Sequence, residues 1–117
     1  MTLLPPGVKV HLAYGYTDMR KGMDGLALLV QEVLQQDPFS GHLFVFRGRK
    51  ANLTKVVFWD GTGLCLFTKR LEHGVFLWPS NIEPGRTLAL TSVQLSALLE
   101  GIDWRSPERQ WRPAVAG

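Results

Sequence analysis

Two hydrophobic periods run along the chain and predict strands and helices in separate stretches. From Val8 to Tyr14, apolar and polar side chains alternate, which predicts a half-buried strand over this range. Short runs rich in aromatic and β-branched residues predict further strands at 42–46, 55–59, 64–70, 75–78 and 86–90. The Asp60-Gly61 pair, followed by Gly63, predicts a tight hairpin turn between two of these strands.

A longer period, typical of an amphipathic helix, begins near Asp24. Its apolar stripe consists of Leu26, Leu29, Val30, Val33 and Leu34. Either Asp24 or Thr17 is expected to cap the N-terminus, because both side chains can accept a hydrogen bond from a free backbone N–H. The helix is expected to end before Pro38, since proline disfavours helical geometry in the residue that precedes it.

A second helical period follows residue 91. Thr91 and Gln94 have the spacing of a capping box, in which each side chain satisfies a free backbone group of the first turn. The stripe of this helix consists of Leu95, Leu98, Leu99 and Ile102. Gly101 or Asp103 is expected to mark its end.

These elements predict an α+β fold with a small, mostly antiparallel sheet of about five or six strands and two amphipathic helices. Too few helices alternate with strands to predict a parallel βαβ sheet. The length of 117 residues predicts a single domain. We expect an ordered core over residues 8–104 and a loosely held tail over residues 105–117, which is polar and contains two prolines.

Composition narrows the class of protein. The chain is 45% hydrophobic and 20% charged, which is typical of a globular protein. Its net charge of +3 permits nucleic-acid binding without requiring it. Cys65 is the single cysteine, so no internal disulfide is possible. Together with the lack of a leader or of an apolar run of about 20 residues, this predicts a cytoplasmic protein.

Residues that could carry catalysis are few. Three histidines are scattered along the sequence without ligand spacing: His11, His42 and His73. A two-metal nuclease would need a carboxylate cluster, for which the candidates are Asp18, Asp24 and Asp60. Asp60 suits a hairpin turn and Asp24 suits a helix cap, so structural roles are favoured. The sequence therefore predicts no enzyme activity, no metal site and no cofactor.

Aromatic side chains are dense on the predicted strands. Phe58 and Trp59 are adjacent and must point to opposite faces of a sheet. Either both faces are covered, or one face exposes aromatic rings to a partner. A second buried layer or a protein interface is favoured here over base stacking.

Basic side chains cluster at the margins of the predicted hairpin and before the first helix. The candidate nucleic-acid-binding residues are Arg20, Lys21, Arg47, Arg49, Lys50, Lys69 and Arg70. If the strands are neighbours, the loop at 47–50 and the pair at 69–70 fall on one edge of the sheet. Arginine matches the geometry of phosphate, and Gly48 would let the loop approach a nucleic-acid backbone closely. Such contacts position a protein on DNA without reading its sequence. A solvated rim with no binding role is the alternative.

Long blocks of the sequence resemble a known family. The blocks that carry the resemblance are "TDMRKG", "FRGRK", "WDG.G" and "KRLE.G.F.WP", within a match from Leu4 to Trp104. The chain resembles the TnpB-type accessory protein, the second reading frame, of the insertion sequence 66 family of bacterial transposable elements. The resemblance implies a separate, larger transposase that performs strand chemistry, and a small protein needed for efficient transposition. It supplies no catalytic residue.

The leading hypothesis is a non-catalytic accessory factor for DNA transposition. It would bind DNA non-specifically through the basic edge and assist the transposase of the same element. The alternative is a protein–protein adaptor of the transposition complex without direct DNA contact. The sequence does not define the oligomeric state.

Overall fold

The computed structural model describes residues 7–80, 83 and 85–105, which form one sheet flanked by two helices. The elements, in chain order, are β1 (Val10–Ala13), α1 (Met23–Glu32), β2 (Leu43–Arg47), β3 (Leu53–Trp59), β4 (Leu64–Arg70), β5 (Thr87–Leu90) and α2 (Ser92–Leu99). The five strands lie in the order β4-β3-β2-β1-β5. The predicted α+β class and the mostly antiparallel sheet are confirmed. Most of the predicted tail lies outside the described residues.

One pair of strands is parallel, which the sequence did not predict. Val10 of β1 lies opposite Leu43 of β2 in a parallel register, and α1 forms the connection between the two strands. A single βαβ unit is therefore present within the sheet. The other three strand pairs are antiparallel, and two of them are hairpins. As a result β1, β2 and β4 run in the same direction, and their carboxyl ends lie at the same end of the sheet.

Both faces of the sheet carry a buried layer, which is one of the two arrangements expected for the aromatic residues. A protein interface on these residues stays a prediction. On one face, Leu26 and Val30 of α1 pack with Phe44 and Phe46 of β2. On the other face the core consists of Val10, Leu12, Leu43, Val45, Val56, Phe76, Leu90, Leu95, Ala97, Leu98, Leu99 and Trp104. Successive residues of β2, β3 and β4 divide between the two clusters, as the pleat of a strand requires.

The segment at 75–78 was predicted to be a strand, and this prediction is wrong. This segment, named the strap here, packs against one face of the sheet and is held by single contacts rather than by a ladder. The backbone N–H of Phe76 donates to the Ala51 carbonyl (2.7 Å), and the indole Nε1–H of Trp78 donates to the Ala13 carbonyl (2.8 Å). Phe76 is fully buried. The aromatic residues of the segment 75–78 therefore pack onto the sheet, and the segment is not one of its strands.

The predicted cap of α1 is wrong, whereas the predicted cap of α2 is confirmed. Gly22, and neither Asp24 nor Thr17, is the N-cap of α1, and it makes no side-chain cap bond. The capping box of α2 is present, because the Gln94 N–H donates to Thr91 Oγ1 (3.1 Å) and the Thr91 N–H donates to Gln94 Oε1 (2.9 Å). The chain leaves α2 through Gly101, whose φ of 76° is a left-handed conformation that favours glycine.

Candidate nucleic-acid interface

Three separate segments build an open cleft at the end of the sheet where the carboxyl ends of β1, β2 and β4 lie. The cleft has a volume of about 890 Å³ and is lined by residues 16–20 after β1, by five of the residues 48–53 after β2, and by Arg70 at the end of β4. Four cationic side chains line it: Arg20, Arg49, Lys50 and Arg70. Asp18 is the acidic side chain among the lining residues. The lining therefore carries a net positive charge.

Backbone hydrogen bonds fix the two loops that form the walls. The Thr17 N–H donates to the Arg47 carbonyl (2.9 Å), which ties the loop after β1 to the end of β2. Gly48 is buried where the loops meet, and a Cβ placed there would lie 2.5 Å from Met19 Cγ. Glycine at this position is therefore needed for the packing of one loop on the other. Gly48 also lines the cleft, and its close approach to a nucleic-acid backbone stays a prediction.

Arg49 holds an exposed aromatic ring at the wall of the cleft. Its Nη2 donates to the Tyr16 hydroxyl (2.6 Å), and its Cζ lies 4.6 Å from the centroid of the Tyr16 ring. The Tyr16 side chain is 58% exposed. Among the residues that the structure describes, no carboxylate forms a salt bridge with Arg49, Lys50 or Arg70. Arg49, Lys50 and Arg70 are all exposed to solvent, from which an anion could reach them.

Arg20 differs from the other three cations because a carboxylate already engages it. Its Nη2 lies 2.8 Å from Asp18 Oδ2, and its Nε donates to Asp18 Oδ1 (3.0 Å). Hydrogen bonds from the Arg20 side chain and backbone hold the pKa of Asp18 far below its usual range. Asp18 is therefore ionised at neutral pH, and it compensates much of the charge of Arg20.

Arg47 does not reach the cleft, although it is two residues from Arg49. It lies on the opposite face of the sheet, where its Nη1 donates to the Phe76 carbonyl (2.9 Å) and its Cζ lies 5.3 Å from the centroid of the Trp78 ring. Burial lowers the pKa of the Arg47 guanidinium. This side chain fastens the strap at 75–78 to the sheet.

Two other predicted residues also lie apart from the cleft. Lys69 precedes Arg70 on β4 and therefore faces the other side of the sheet, with its Nζ 4.0 Å from Glu100 Oε2 at the end of α2. Lys21 is exposed, and its carbonyl accepts a hydrogen bond from Lys55 Nζ (2.9 Å). Of the seven residues predicted from the sequence, four come together in the cleft.

Tyr16 and Asn52 also line the cleft, and the sequence reasoning missed both. The sequence could have indicated that Tyr16 is exposed, because it directly follows Gly15 in a glycine-rich loop. This loop has no apolar periodicity that would predict burial of the ring. Gly15 has a φ of 78°, so the chain turns sharply before the tyrosine. Asn52 gave no comparable signal, because an asparagine in a hairpin loop is ordinary turn chemistry.

The candidate catalytic residues do not assemble. Asp60 Oδ1 accepts hydrogen bonds from the N–H groups of Thr62 and Gly63 (both 2.9 Å), so it closes the β3–β4 turn. Asp24 lies in the first turn of α1. Within the described ranges, no group of three or more histidine, cysteine, aspartate or glutamate side chains could hold a metal ion.

Two of the histidines approach each other because β1 and β2 are neighbours. The ring centroids of His11 and His42 lie 5.7 Å apart, and His11 stacks on Phe44 at 5.1 Å. The Nε2 atom of His11 is buried and has no hydrogen-bond partner among the residues that the structure describes. Burial, followed by the charges of His42 and Lys9, lowers the pKa of His11.

The fold and the cleft define a small α+β protein with a concave, cationic surface built from loops. Comparison with known families then identifies its group. The chain belongs to the family described as IS66 Orf2 like protein, whose model matches residues 8–109. This finding confirms the resemblance seen in the sequence. The family implies an accessory protein associated with an insertion sequence.

Two similar proteins come from Sinorhizobium fredii (strain NBRC 101917 / NGR234). Uncharacterized protein y4hO is 55% identical over 117 residues, which cover 98% of this chain and 100% of that protein. Uncharacterized protein y4jC is 36% identical over 104 residues, which cover 89% of this chain and 87% of that protein. No solved structure matches the chain significantly. Within the described residues, neither helix has the length and apolar character needed to cross a bilayer.

Proposed function

We propose that this protein is a non-catalytic accessory factor for transposition of an insertion-sequence element, and that it binds DNA through the cationic cleft while assisting a separate transposase. One observation carries the DNA-binding part of the proposal. Arg49 and Lys50 come from the loop after β2 and Arg70 from the end of β4, yet all three line one cleft. None of them has a carboxylate partner among the described residues.

The chemistry of the lining suits phosphate and does not suit base-specific readout of a duplex. Arginine offers several N–H donors in a planar fork, and lysine adds a compact charge. Contacts of this kind give affinity that falls with salt and that varies little with sequence.

The carboxylates support a role without catalysis. Asp18 is engaged by Arg20, and Asp60 is engaged by the backbone of its own turn. Neither is placed beside a second carboxylate in a metal-holding group within the described residues. Strand cleavage and joining are therefore assigned to the transposase.

The test is a salt titration of DNA binding, followed by fluorescence anisotropy. The cleft variant combines Arg49→Ala, Lys50→Ala and Arg70→Ala. Loss of three phosphate contacts should reduce the slope of log affinity against log salt by about 2 to 3 units, since each contact contributes about 0.7 to 0.9. Affinity for unrelated DNA sequences should fall by the same factor.

The matched control removes the same charge from elsewhere. It combines Lys9→Ala, Lys69→Ala and Arg86→Ala, none of which lines the cleft. We expect this control to keep the wild-type slope to within about one unit, because diffuse charge contributes less than direct contact. Equal losses in both variants would show that net charge, and not the cleft, holds DNA. Absence of DNA binding at low salt would favour the adaptor that makes no direct DNA contact.

A further inference from the structure

The shape of the cleft restricts which form of DNA can enter it. Its volume of about 890 Å³ falls in the range of about 300–1,000 Å³ occupied by small-ligand pockets. A duplex is a stiff, convex rod with its phosphates on the outside and its bases stacked within. It can touch the rim of such a cleft but cannot bring a base to the wall. A few nucleotides of an unpaired strand can enter.

The wall carries the feature that an unpaired base would use. Tyr16 keeps 58% of its surface exposed, although its ring is held in place by a hydrogen bond and by the guanidinium of Arg49. An aromatic ring beside a cationic groove is the arrangement by which proteins bind single-stranded nucleic acid. Because Arg49 already orients the ring, little conformational freedom remains to be lost when a base stacks on it.

We propose, on the basis of the DNA binding proposed above, that the cleft binds an unpaired segment of a DNA strand, with a base stacked on Tyr16. The flanking phosphates contact Lys50 and Arg70. Arg49 has two functions in this arrangement: it orients the tyrosine and it contributes charge. Stacking of this kind tolerates any base, because every base has a π face. The cleft therefore selects for unpaired DNA and not for a particular sequence.

Anisotropy with a labelled 12-nucleotide oligothymidine and with a 12-base-pair duplex tests this inference. Tyr16→Ala should weaken oligothymidine binding by about 5- to 150-fold, the range that loss of one base–aromatic stack produces. Duplex binding should change less than about twofold. Tyr16→Phe keeps the ring and should retain oligothymidine binding to within about threefold. Phe39→Ala removes an aromatic side chain that is 54% exposed outside the cleft and should leave both affinities unchanged.

A photocrosslink locates the base directly. An oligothymidine with one 5-iododeoxyuridine should crosslink to Tyr16, identified by mass spectrometry of the tryptic peptides. The inference is overturned if Tyr16→Ala binds oligothymidine as tightly as the wild type does, or if the crosslink maps outside the cleft. In that outcome, duplex binding that still depends on Arg49, Lys50 and Arg70 would leave the proposed function intact. Failure of all DNA binding would overturn both.

Discussion

Arg47 and Arg49 carry the same charge two residues apart, and the structure places them in different surroundings. Arg47 donates to the Phe76 carbonyl and lies over the Trp78 ring, whereas Arg49 lies in the cleft. Replacing each by methionine keeps an unbranched chain and removes the charge. We expect Arg47→Met to lower stability without weakening DNA binding, and Arg49→Met to weaken DNA binding without lowering stability.

The magnitude for Arg47→Met follows from its contacts. The lost hydrogen bond has a charged donor, which is worth about 1.5–3 kcal/mol, and the cation–π contact adds about 0.5–1 kcal/mol. Phe76 is fully buried, so the orphaned carbonyl has poor access to water. Burying the charged guanidinium has a cost, which is also why the pKa of Arg47 is lowered. Methionine removes this cost, and that gain offsets part of the lost stability. A net loss of about 1–3 kcal/mol in the free energy of unfolding results.

Replacing Arg49 should affect DNA binding more than it affects stability. Its side chain is exposed, and its recorded partner is the hydroxyl of Tyr16. Exposed substitutions of this kind usually change stability by less than about 0.5 kcal/mol. Loss of one phosphate contact should reduce the salt slope by about 0.7 to 0.9.

Two measurements on each variant separate the two functions. Urea denaturation followed by tryptophan fluorescence gives the free energy of unfolding, and anisotropy at several salt concentrations gives the slope. The reasoning fails if Arg47→Met lowers DNA affinity while its denaturation midpoint stays at the wild-type value. It also fails if Arg49→Met loses more stability than Arg47→Met does.

Three further outcomes are expected. Gly48→Ala should destabilise the fold by about 1–3 kcal/mol in urea denaturation, because the new Cβ would meet Met19 Cγ at 2.5 Å; an unchanged midpoint would contradict the loop packing. Thr91→Ala should cost about 1 kcal/mol by the same assay through loss of the cap of α2, and Thr91→Ser should restore most of it if the hydroxyl is responsible. The free energy of unfolding should fall as the pH is lowered from about 6.5 towards 5, because folding lowers the pKa of His11 from 6.5 and the unfolded chain therefore binds more protons. This loss approaches at most about 1.4 kcal/mol per pH unit and should be smaller in His11→Phe. An equally steep pH dependence in His11→Phe would assign the effect to another group.

Local chemistry predicted much of the fold. The capping box at Thr91 and Gln94 is correct because both partners lie within one helical turn, and the Asp60 turn is correct for a similar reason. The parallel pairing of β1 with β2 was not predicted, since strand direction depends on where α1 places the chain. The strap at 75–78 has the composition of a strand, and only its position outside the sheet shows that it is not one.

The candidate site was predictable in part, for a geometric reason. The sequence positions of Arg49, Lys50 and Arg70 correctly predicted that the three side chains lie at one edge of the sheet. They do so because the carboxyl ends of β2 and β4 lie at the same end of the sheet. Strand pleating decides which face each side chain occupies, and it removes Arg47 and Lys69 from the cleft. The start of a strand must be known to one residue before this alternation can be applied.

The walls of the cleft come from three segments of the chain: residues 16–20, residues 48–53 about 30 residues later, and Arg70 about 20 residues after those. These segments meet only when strand order and register are established. A ligand held there is therefore held by the finished fold and not by any one peptide. Saturating oligonucleotide should consequently raise the urea midpoint of the wild type in proportion to the logarithm of its concentration. The proposed DNA binding would then also protect this chain from unfolding and proteolysis.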